Sequence, residues 1–228
     1  MSARASGRRA VLAAALGHVP FDGWTDRVLA AAAGDLGVTL AEARRLFPGG
    51  AAELCAFFVA ESDRRMIEAL ADHDLAALRV RDRIALAVRT RLTQAGPQRE
   101  AVRRALGFYA LPAHAAAGVR TLYRTVDAMW RAAGDTATDF SFYSKRALLA
   151  GVYGTTLLFW LEDRSPGCAA TWAFLDRRID DVMAIQRLKG RLGRRLPDPD
   201  RVVAGLARRL RPGHATPRRA TPRPGRTT

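Results

Sequence analysis

The sequence predicts an all-α protein. Hydrophobic residues make up 49% of the 228 positions, which is enough for a sizeable core. Ala, Leu and Arg, all good helix formers, dominate the chain, whereas Val, Ile and Thr never cluster into the alternating runs of a strand. A chain of this length forms one large domain or a small domain fused to a larger one.

Three short helices are predicted near the N-terminus, over residues 8–16, 25–36 and 39–47. Pro20 and Gly23 are expected to end the first helix, and Thr25 and Thr39 to cap the second and the third. Gly37 supplies a tight turn between the last two. Such a triplet is typical of a helix-turn-helix unit, so residues 1–50 are predicted to form a small bundle of this kind.

Six longer helices follow, predicted over residues 51–70, 80–94, 99–110, 115–133, 139–163 and 169–188. Gly and Pro punctuate the chain between most of them. In the helix over 115–133, one apolar stripe holds Val119, Leu122, Val126 and either Met129 or Trp130, which are therefore expected to face inward. Together these helices are assigned to a second domain, 51–188.

The helix over 139–163 has an uncharged middle, the fifteen residues 147–161. This run is shorter than the about 20 apolar residues that a bilayer span requires. A helix that is apolar all round is usually buried at the centre of a protein. Its small residues, Ala150, Gly151 and Gly154, fit either close helix packing or room for a ligand, and composition alone favours packing.

Positive charge is concentrated at the C-terminal end. The net charge is +15, and residues 187–228 hold thirteen Lys and Arg against two Asp, so the first 186 residues carry only +4. After a Pro-rich linker, a tenth helix is predicted to about Leu210. Its apolar face and its basic residues are Val202, Val203, Leu206, Leu210, Arg201, Arg208 and Arg209. A basic amphipathic helix favours an anionic membrane surface, the alternative being a terminal helix docked on the body.

Residues 189–211 are therefore assigned to the linker and this helix, and 212–228 to a disordered basic tail, because that tail has almost nothing to bury. No catalytic or metal-binding pattern stands out elsewhere. Cys55 and Cys168 are too far apart in sequence for a zinc motif, the four His are scattered, and no nucleophile or phosphate-loop motif is present. We therefore expect no enzyme activity, no metal and no cofactor.

Two long stretches carry a family resemblance. The first runs from Asp-Phe-Ser-Phe-Tyr-Ser-Lys-Arg at 139–146 to Leu-Glu-Asp-Arg-Ser-Pro at 161–166. The second is Thr-Trp-Ala-Phe-Leu-Asp-Arg-Arg-Ile-Asp-Asp-Val-Met at 171–183, and Leu-Phe-Pro-Gly-Gly-Ala-Ala-Glu-Leu at 46–54 also fits. On these motifs the chain resembles the COQ-nine family of ubiquinone-biosynthesis proteins. The resemblance spans most of residues 10–185.

This resemblance implies a TetR-like fold whose C-terminal helical domain binds an isoprenoid quinone lipid. It also implies an accessory role beside the demethoxyubiquinone hydroxylase, with a C-terminal amphipathic helix at the membrane. Carried over by motif, the hydroxylase contact would be Asp139, Phe142, Tyr143 and Arg146. The family usually has Trp where this chain has Phe142, which keeps an aromatic ring but removes the indole N–H.

The family has no short lipid motif, so the pocket is placed by helix pattern. It is expected along the eighth predicted helix, facing the seventh and the ninth. The expected lining is Leu148, Leu149, Val152, Tyr153, Thr156 and Phe159, with Leu122 and Val126, and with Leu175 and Ile179. Under the resemblance, the small residues of the eighth helix now indicate room for a ligand. The prenyl tail would be held mainly by apolar burial.

The alternative is a TetR-type regulator that reads DNA with the helix over 39–47. Residues 1–60 hold six Arg against five acids, whereas specific DNA binders present a clearly basic face. We therefore do not expect specific DNA binding. A homodimer is expected, because TetR-like folds commonly dimerise through the last two helices of the body. The expected location is the bacterial cytoplasm, peripheral on the inner membrane, or the mitochondrial matrix face in a eukaryote.

Overall fold

The computed structural model describes residues 3–134 and 140–193, with side chains for 3–134 and 145–184. Over these residues the chain forms helices and no strand, so the all-α prediction is confirmed. The helices are α1 Ala3–Asp22, α2 Asp26–Asp35, α3 Leu40–Leu46, α4 Gly50–Ala71, α5 Val80–Gln94, α6 Arg99–Ala110, α7 Pro112–Ala132, α8 Phe140–Glu162 and α9 Ala169–Gly193.

Helices α1 to α3 pack against one another as a small N-terminal bundle. Its core is built by α1 residues at helical spacing, among them Val11, Leu12 and Ala15, against an equivalent stripe of α2. Thr39 caps α3 as predicted. Its hydroxyl accepts a hydrogen bond from the Glu42 amide at 3.2 Å, and the Glu42 carboxylate accepts one from the Thr39 amide at 2.8 Å.

The first helix is longer than predicted, because Pro20 does not end it. Pro20 lies in the last turn of α1, and its carbonyl accepts hydrogen bonds from Arg104 of α6. The helix stops before Gly23, whose φ is +69°. Thr25 is the N-cap residue of α2, but its side chain makes no capping hydrogen bond. The carboxylate of Asp26 accepts from the Ala51 amide, in the first turn of α4, at 2.9 Å.

The following helices form a larger bundle around α7. Helix α7 packs against α4, α5, α6 and α8. Trp24, after α1, joins the two bundles because its indole N–H donates to the Ala101 carbonyl of α6 at 3.1 Å. The Trp24 ring also packs 5.1 Å from the ring of Phe58 on α4, centroid to centroid.

One predicted inward position is wrong: the Val119 side chain is 70% exposed, whereas Val126 and Met129 are buried as expected. At this level of α7, Gly118 faces α6. A Cβ built on Gly118 would lie 2.8 Å from the Cβ of Tyr109. The backbone of α7 therefore packs directly against the Cβ of Tyr109 on α6. Val119, one position on, is turned away from this contact.

A polar corner fixes the turn between α8 and α9. The Asp163 carboxylate accepts hydrogen bonds from the Ser165 amide at 2.7 Å, the Thr171 amide at 2.8 Å and the Thr171 hydroxyl at 2.5 Å. The Ser165 hydroxyl oxygen accepts from the Ala170 amide at 3.0 Å. These bonds satisfy free amides in the first turn of α9, which explains why an Asp-Arg-Ser-Pro sequence suits this corner.

The chain divides into two compact units, Met1–Val182 and Met183–Thr228. The first contains the predicted N-terminal bundle, 1–50, and most of the predicted domain 51–188. The second contains the end of α9. The predicted tenth helix and the basic tail lie outside the described residues.

Candidate functional site

A cavity of about 90 Å³ lies inside the larger bundle. Helices α4 to α8 all contribute to its wall. The lining is Phe58, Val59, Arg91, Val102, Ala105, Leu106, Tyr109, Gly118, Thr121, Leu122, Thr125, Tyr153 and Leu157. Most of these side chains are apolar, so the cavity is suited to a hydrocarbon group, which burial would hold without directional bonds.

One part of this wall carries a buried ion pair. The Arg91 Nε donates to the Asp63 carboxylate at 2.9 Å, and the Thr125 hydroxyl donates to the second carboxylate oxygen at 2.8 Å. Burial raises the pKa of Asp63, and the neighbouring Arg91 opposes that rise. Tyr153 is also buried, and burial raises the pKa of its hydroxyl beside the same pair. Four polar groups from four helices therefore meet beside one part of a largely apolar cavity.

Another part of the wall brings Tyr109 close to Cys55 and Thr121. The Tyr109 hydroxyl is buried and lacks a well-formed hydrogen bond, and burial raises its pKa. Burial likewise raises the pKa of the Cys55 thiol to about 12. A thiol with so high a pKa stays protonated near neutral pH, so Cys55 behaves as a small core residue and not as a nucleophile.

The structure places the ten predicted lipid residues in three environments. Two of them, Leu122 and Tyr153, line the cavity. Leu149, Val152, Thr156, Val126, Leu175 and Ile179 are buried in the core away from the cavity wall, and Leu148 is half-buried. Phe159 is outside the lining of this cavity; it is 38% exposed and stacks on Phe174 with ring centroids 4.7 Å apart.

Sequence reasoning missed the walls that α4, α5 and α6 provide. Phe58, Val102 and Tyr109 belong to helices that the predicted pocket did not include. A signal was present: Arg91 lies seven residues after Ile84 and three after Val88, so it is a charge on the inward stripe of α5. A charge on such a stripe needs a buried partner, and Asp63 of α4 is that partner.

Part of the larger bundle matches a known family. Residues 115–186 match the family model described as COQ9. The chain contains a COQ9 domain. This domain includes most of α7 and all of α8, and the family recognised from the sequence motifs is confirmed.

Full-length COQ9 relatives extend the match beyond that domain. "Ubiquinone biosynthesis protein COQ9, mitochondrial" of Rattus norvegicus is 39% identical over 180 residues, which cover 76% of this chain and 57% of the relative. The human protein of the same name is 37% identical over 76% of this chain and 56% of its own length. The Drosophila melanogaster protein is 32% identical over 79% and 56%. The chain thus spans just over half the length of these relatives.

A solved structure has the same fold. The TetR transcriptional regulator from Nitrosomonas europaea superposes with a TM-score of 0.64 over 77% of this chain and 97% of its own, at 24% identity. This likeness confirms the TetR-like fold. The COQ9 relatives are named as mitochondrial proteins, and these comparisons give no support to the predicted bacterial cytoplasm. None of the described helices is long and apolar enough to cross a membrane.

The predicted partner surface lies within the COQ9 match, at the start of α8 and one residue before it. Asp139 lies outside the described residues, and Phe142 and Tyr143 lie in the first turn of α8. Arg146 is not a surface contact, because it is only 2% exposed and its Nε donates to the Asp127 carboxylate at 2.7 Å. Its charge needs a partner once buried, and Asp127 of α7 supplies one, so Arg146 fixes α8 on α7.

Two other predicted surfaces are the membrane-binding residues of the tenth helix and the DNA-facing surface of α3. The predicted membrane residues, Val202, Val203, Leu206, Leu210, Arg201, Arg208 and Arg209, all lie outside the described residues. The α3 surface is described, and its two arginines have acidic neighbours. Arg44 lies 3.5 Å from Asp26, and Arg45 lies 3.8 Å from Glu42, measured between nitrogen and oxygen. These neighbours lower the positive potential that phosphate binding would need.

Proposed function

We propose that this chain is an accessory protein of ubiquinone biosynthesis that binds a polyprenyl quinone intermediate and presents it to the demethoxyubiquinone hydroxylase at a membrane. The cavity in the larger bundle carries this proposal, because it combines an apolar wall with a few converging polar groups. The biosynthetic context comes from the printed names of the COQ9 relatives. Those names describe a biosynthesis protein and state no enzyme activity.

The size of the cavity says how binding must occur. A volume of about 90 Å³ holds about three water molecules, whereas sites for drug-sized ligands take about 300–1,000 Å³. A quinone ring with its tail therefore enters only when helices of the bundle separate, and the described conformation is the closed one. We propose that the bound state is a more open arrangement that the lipid stabilises.

Presentation to the hydroxylase is proposed to use the start of α8. Its orientation is held by the buried Asp127–Arg146 pair and by the indole of Trp130, which donates to the Lys145 carbonyl at 3.2 Å. A contact surface on a fixed helix loses less conformational entropy on association than a mobile surface does. Tyr143→Ala is expected to weaken hydroxylase pulldown at unchanged helicity, and undiminished pulldown would exclude Tyr143 from the contact.

A homodimer through α8 and α9 is part of the proposal. Leu158 is 59% exposed and Phe159 38%, and both lie near the end of an α8 whose middle carries no charge. Membrane attachment is proposed through the basic amphipathic segment after residue 197, so its removal should reduce binding to anionic liposomes. A mitochondrial location fits the names of the relatives better than a bacterial one.

Native mass spectrometry with lipid extraction tests the central proposal. A quinone or isoprenoid that copurifies with the chain would support the proposed role and would identify the ligand. Repeated recovery of lipid-free protein from cells rich in ubiquinone precursors would count against it. The next candidate would then be a DNA-binding regulator, which the N. europaea fold neighbour represents, and operator binding by α3 would be measured.

A further inference from the structure

In the buried ion pair beside the cavity, Arg91 has N–H donors that its bond to Asp63 does not use. An arginine side chain carries five N–H donors, and Arg91 uses only Nε, in its bond to Asp63. Its terminal nitrogens make no hydrogen bond with the described residues, nor does the Tyr153 hydroxyl. Arg91 is 4% exposed and Tyr153 is 5% exposed, and both line the cavity. Because both side chains line the cavity, an acceptor placed there could reach donors that no described residue uses.

The charge of the pair restricts what that acceptor is. Asp63 and Arg91 neutralise each other, and Thr125 completes the hydrogen bonds of the carboxylate. An anionic head, such as a carboxylate or a phosphate, would leave a net buried negative charge, which is costly in an apolar interior. An uncharged oxygen acceptor adds no net charge and still accepts the free N–H and O–H groups.

The rest of the wall points to the shape of the ligand. Apolar side chains, among them Phe58, Val102, Leu106 and Leu122, surround the space beside the polar groups. We propose, resting on the proposed function above, that Arg91 and Tyr153 bind the ring oxygens of an uncharged quinone or phenol head. The tail then lies against the apolar wall. The site accordingly favours a lipid with a neutral oxygen-bearing head over one with a net anionic head, such as a fatty acid.

Binding of three probes to matched variants tests this assignment. The probes are a short-tail ubiquinone, the hydrocarbon of the same tail without the ring, and palmitate, each titrated by fluorescence quenching and checked by native mass spectrometry. Tyr153→Phe removes only a hydroxyl that has no partner in the described structure, so the fold is expected to survive. Tyr123→Phe is the matched control, because Tyr123 is 40% exposed and lies outside the cavity lining.

We expect Tyr153→Phe to weaken ubiquinone binding about three- to tenfold and to leave hydrocarbon binding unchanged, while Tyr123→Phe changes neither. Arg91→Lys keeps a charge for Asp63 but loses the fork of donors, so it should weaken ubiquinone at least as much, with folding checked by thermal melting. Palmitate should bind wild-type protein more weakly than ubiquinone.

Three results would overturn the assignment. Wild-type affinity of Tyr153→Phe for ubiquinone, or equal weakening for the hydrocarbon, would mean that the hydroxyl does not bind the head. Tighter binding of palmitate than of ubiquinone would mean that the site takes anions, although lipid binding would stand. If wild-type protein bound neither ubiquinone nor the hydrocarbon, the proposed function would fail along with this assignment.

Discussion

The two helical bundles of this chain differ in how deeply they bury their ion-paired arginines. In the bundle of α1 to α3, Arg27, Arg44 and Arg45 are more than half exposed and lie 3.5–3.8 Å from acids. In the larger bundle, Arg91 and Arg146 are at most 5% exposed by side chain and form hydrogen-bonded ion pairs. An exposed pair contributes little to stability and screens a surface, whereas a buried pair is kept at a desolvation cost.

This difference indicates where the specific chemistry of the molecule lies. The first bundle belongs to the TetR-like fold, and its exposed Arg27, Arg44 and Arg45 each lie beside an acid. The larger bundle places a charged network against an apolar cavity, which a core built only for stability would fill with hydrocarbon. The larger bundle is therefore where we look for the functional site.

Breaking the buried pair gives the largest expected effect on stability. Asp63→Ala leaves Arg91 buried without its partner, and we expect a loss of about 3–5 kcal/mol in the free energy of unfolding. Arg44→Ala is the matched control in the first bundle, and its expected change lies within about 0.5 kcal/mol. Urea unfolding of both variants measures the contrast. Similar values for the two would remove the distinction between the bundles.

The close contact of α6 and α7 gives the next effect. Gly118→Ala adds a methyl 2.8 Å from the Tyr109 Cβ, so a helix must shift, and we expect a loss of about 1–3 kcal/mol together with weaker lipid binding. Gly107→Ala is the control on α6, since a Cβ there meets nothing within 4 Å and should gain about 0.5–1 kcal/mol of helix stability. A stable Gly118→Ala with normal lipid binding would show that this wall is not constrained.

The ends of the helices could be predicted from the sequence better than the faces through which they pack. Helix ends follow Gly and Pro punctuation, so the bounds of α5, α6 and α8 lie close to their predictions. The predicted end of α1 is wrong because the helix continues through Pro20 to Asp22, and Val119 is wrong because apolar periodicity does not reveal that Gly118 holds the contact. Local pattern predicts elements but not which side of an element another helix approaches.

The cavity was less predictable than the fold for a related reason. Asp63 and Arg91 are 28 residues apart, and Asp63 and Thr125 are 62 apart, so only the packed bundle brings them together. The small residues of α8 drew the predicted pocket toward that helix. In the structure Gly151 is exposed, and a Cβ there would meet nothing within 4 Å. The apolar wall comes mostly from helices whose sequences look like ordinary amphipathic surfaces.

Acid sensitivity should distinguish the α8–α9 corner from the rest of the bundle. Hydrogen bonds from Ser165 and Thr171 hold the pKa of Asp163 well below its usual range. A depressed carboxyl pKa contributes stability that is complete above the unfolded value of about 3.9 and is lost as the pH falls toward the folded value. Asp163→Asn should therefore flatten the fall in urea midpoint below about pH 4. An unchanged slope would mean that other carboxylates control it.

The smallest expected effect concerns a buried hydroxyl on α8. Thr156 is fully buried and its hydroxyl oxygen has no hydrogen-bond partner, whereas the hydroxyl of Thr155, one residue earlier, donates to the Gly151 carbonyl at 2.7 Å. Thr156→Val replaces an unsatisfied polar group with a methyl of similar shape, so we expect a gain of about 1 kcal/mol in unfolding free energy. Thr155→Val, which removes a satisfied and exposed bond, should change it by less than about 0.5 kcal/mol.

Measuring the affinity of Thr156→Val for lipid distinguishes two roles of the Thr156 hydroxyl. If the oxygen is only an imperfection of the closed core, Thr156→Val melts at a higher temperature and binds short-tail ubiquinone like the wild type. If helix separation on binding exposes this position to the ligand head, as its place in the predicted pocket implies, the same variant gains stability but loses affinity. Greater stability with weaker binding would place Thr156 in the open site, and the cavity of the closed form would then be only one end of it.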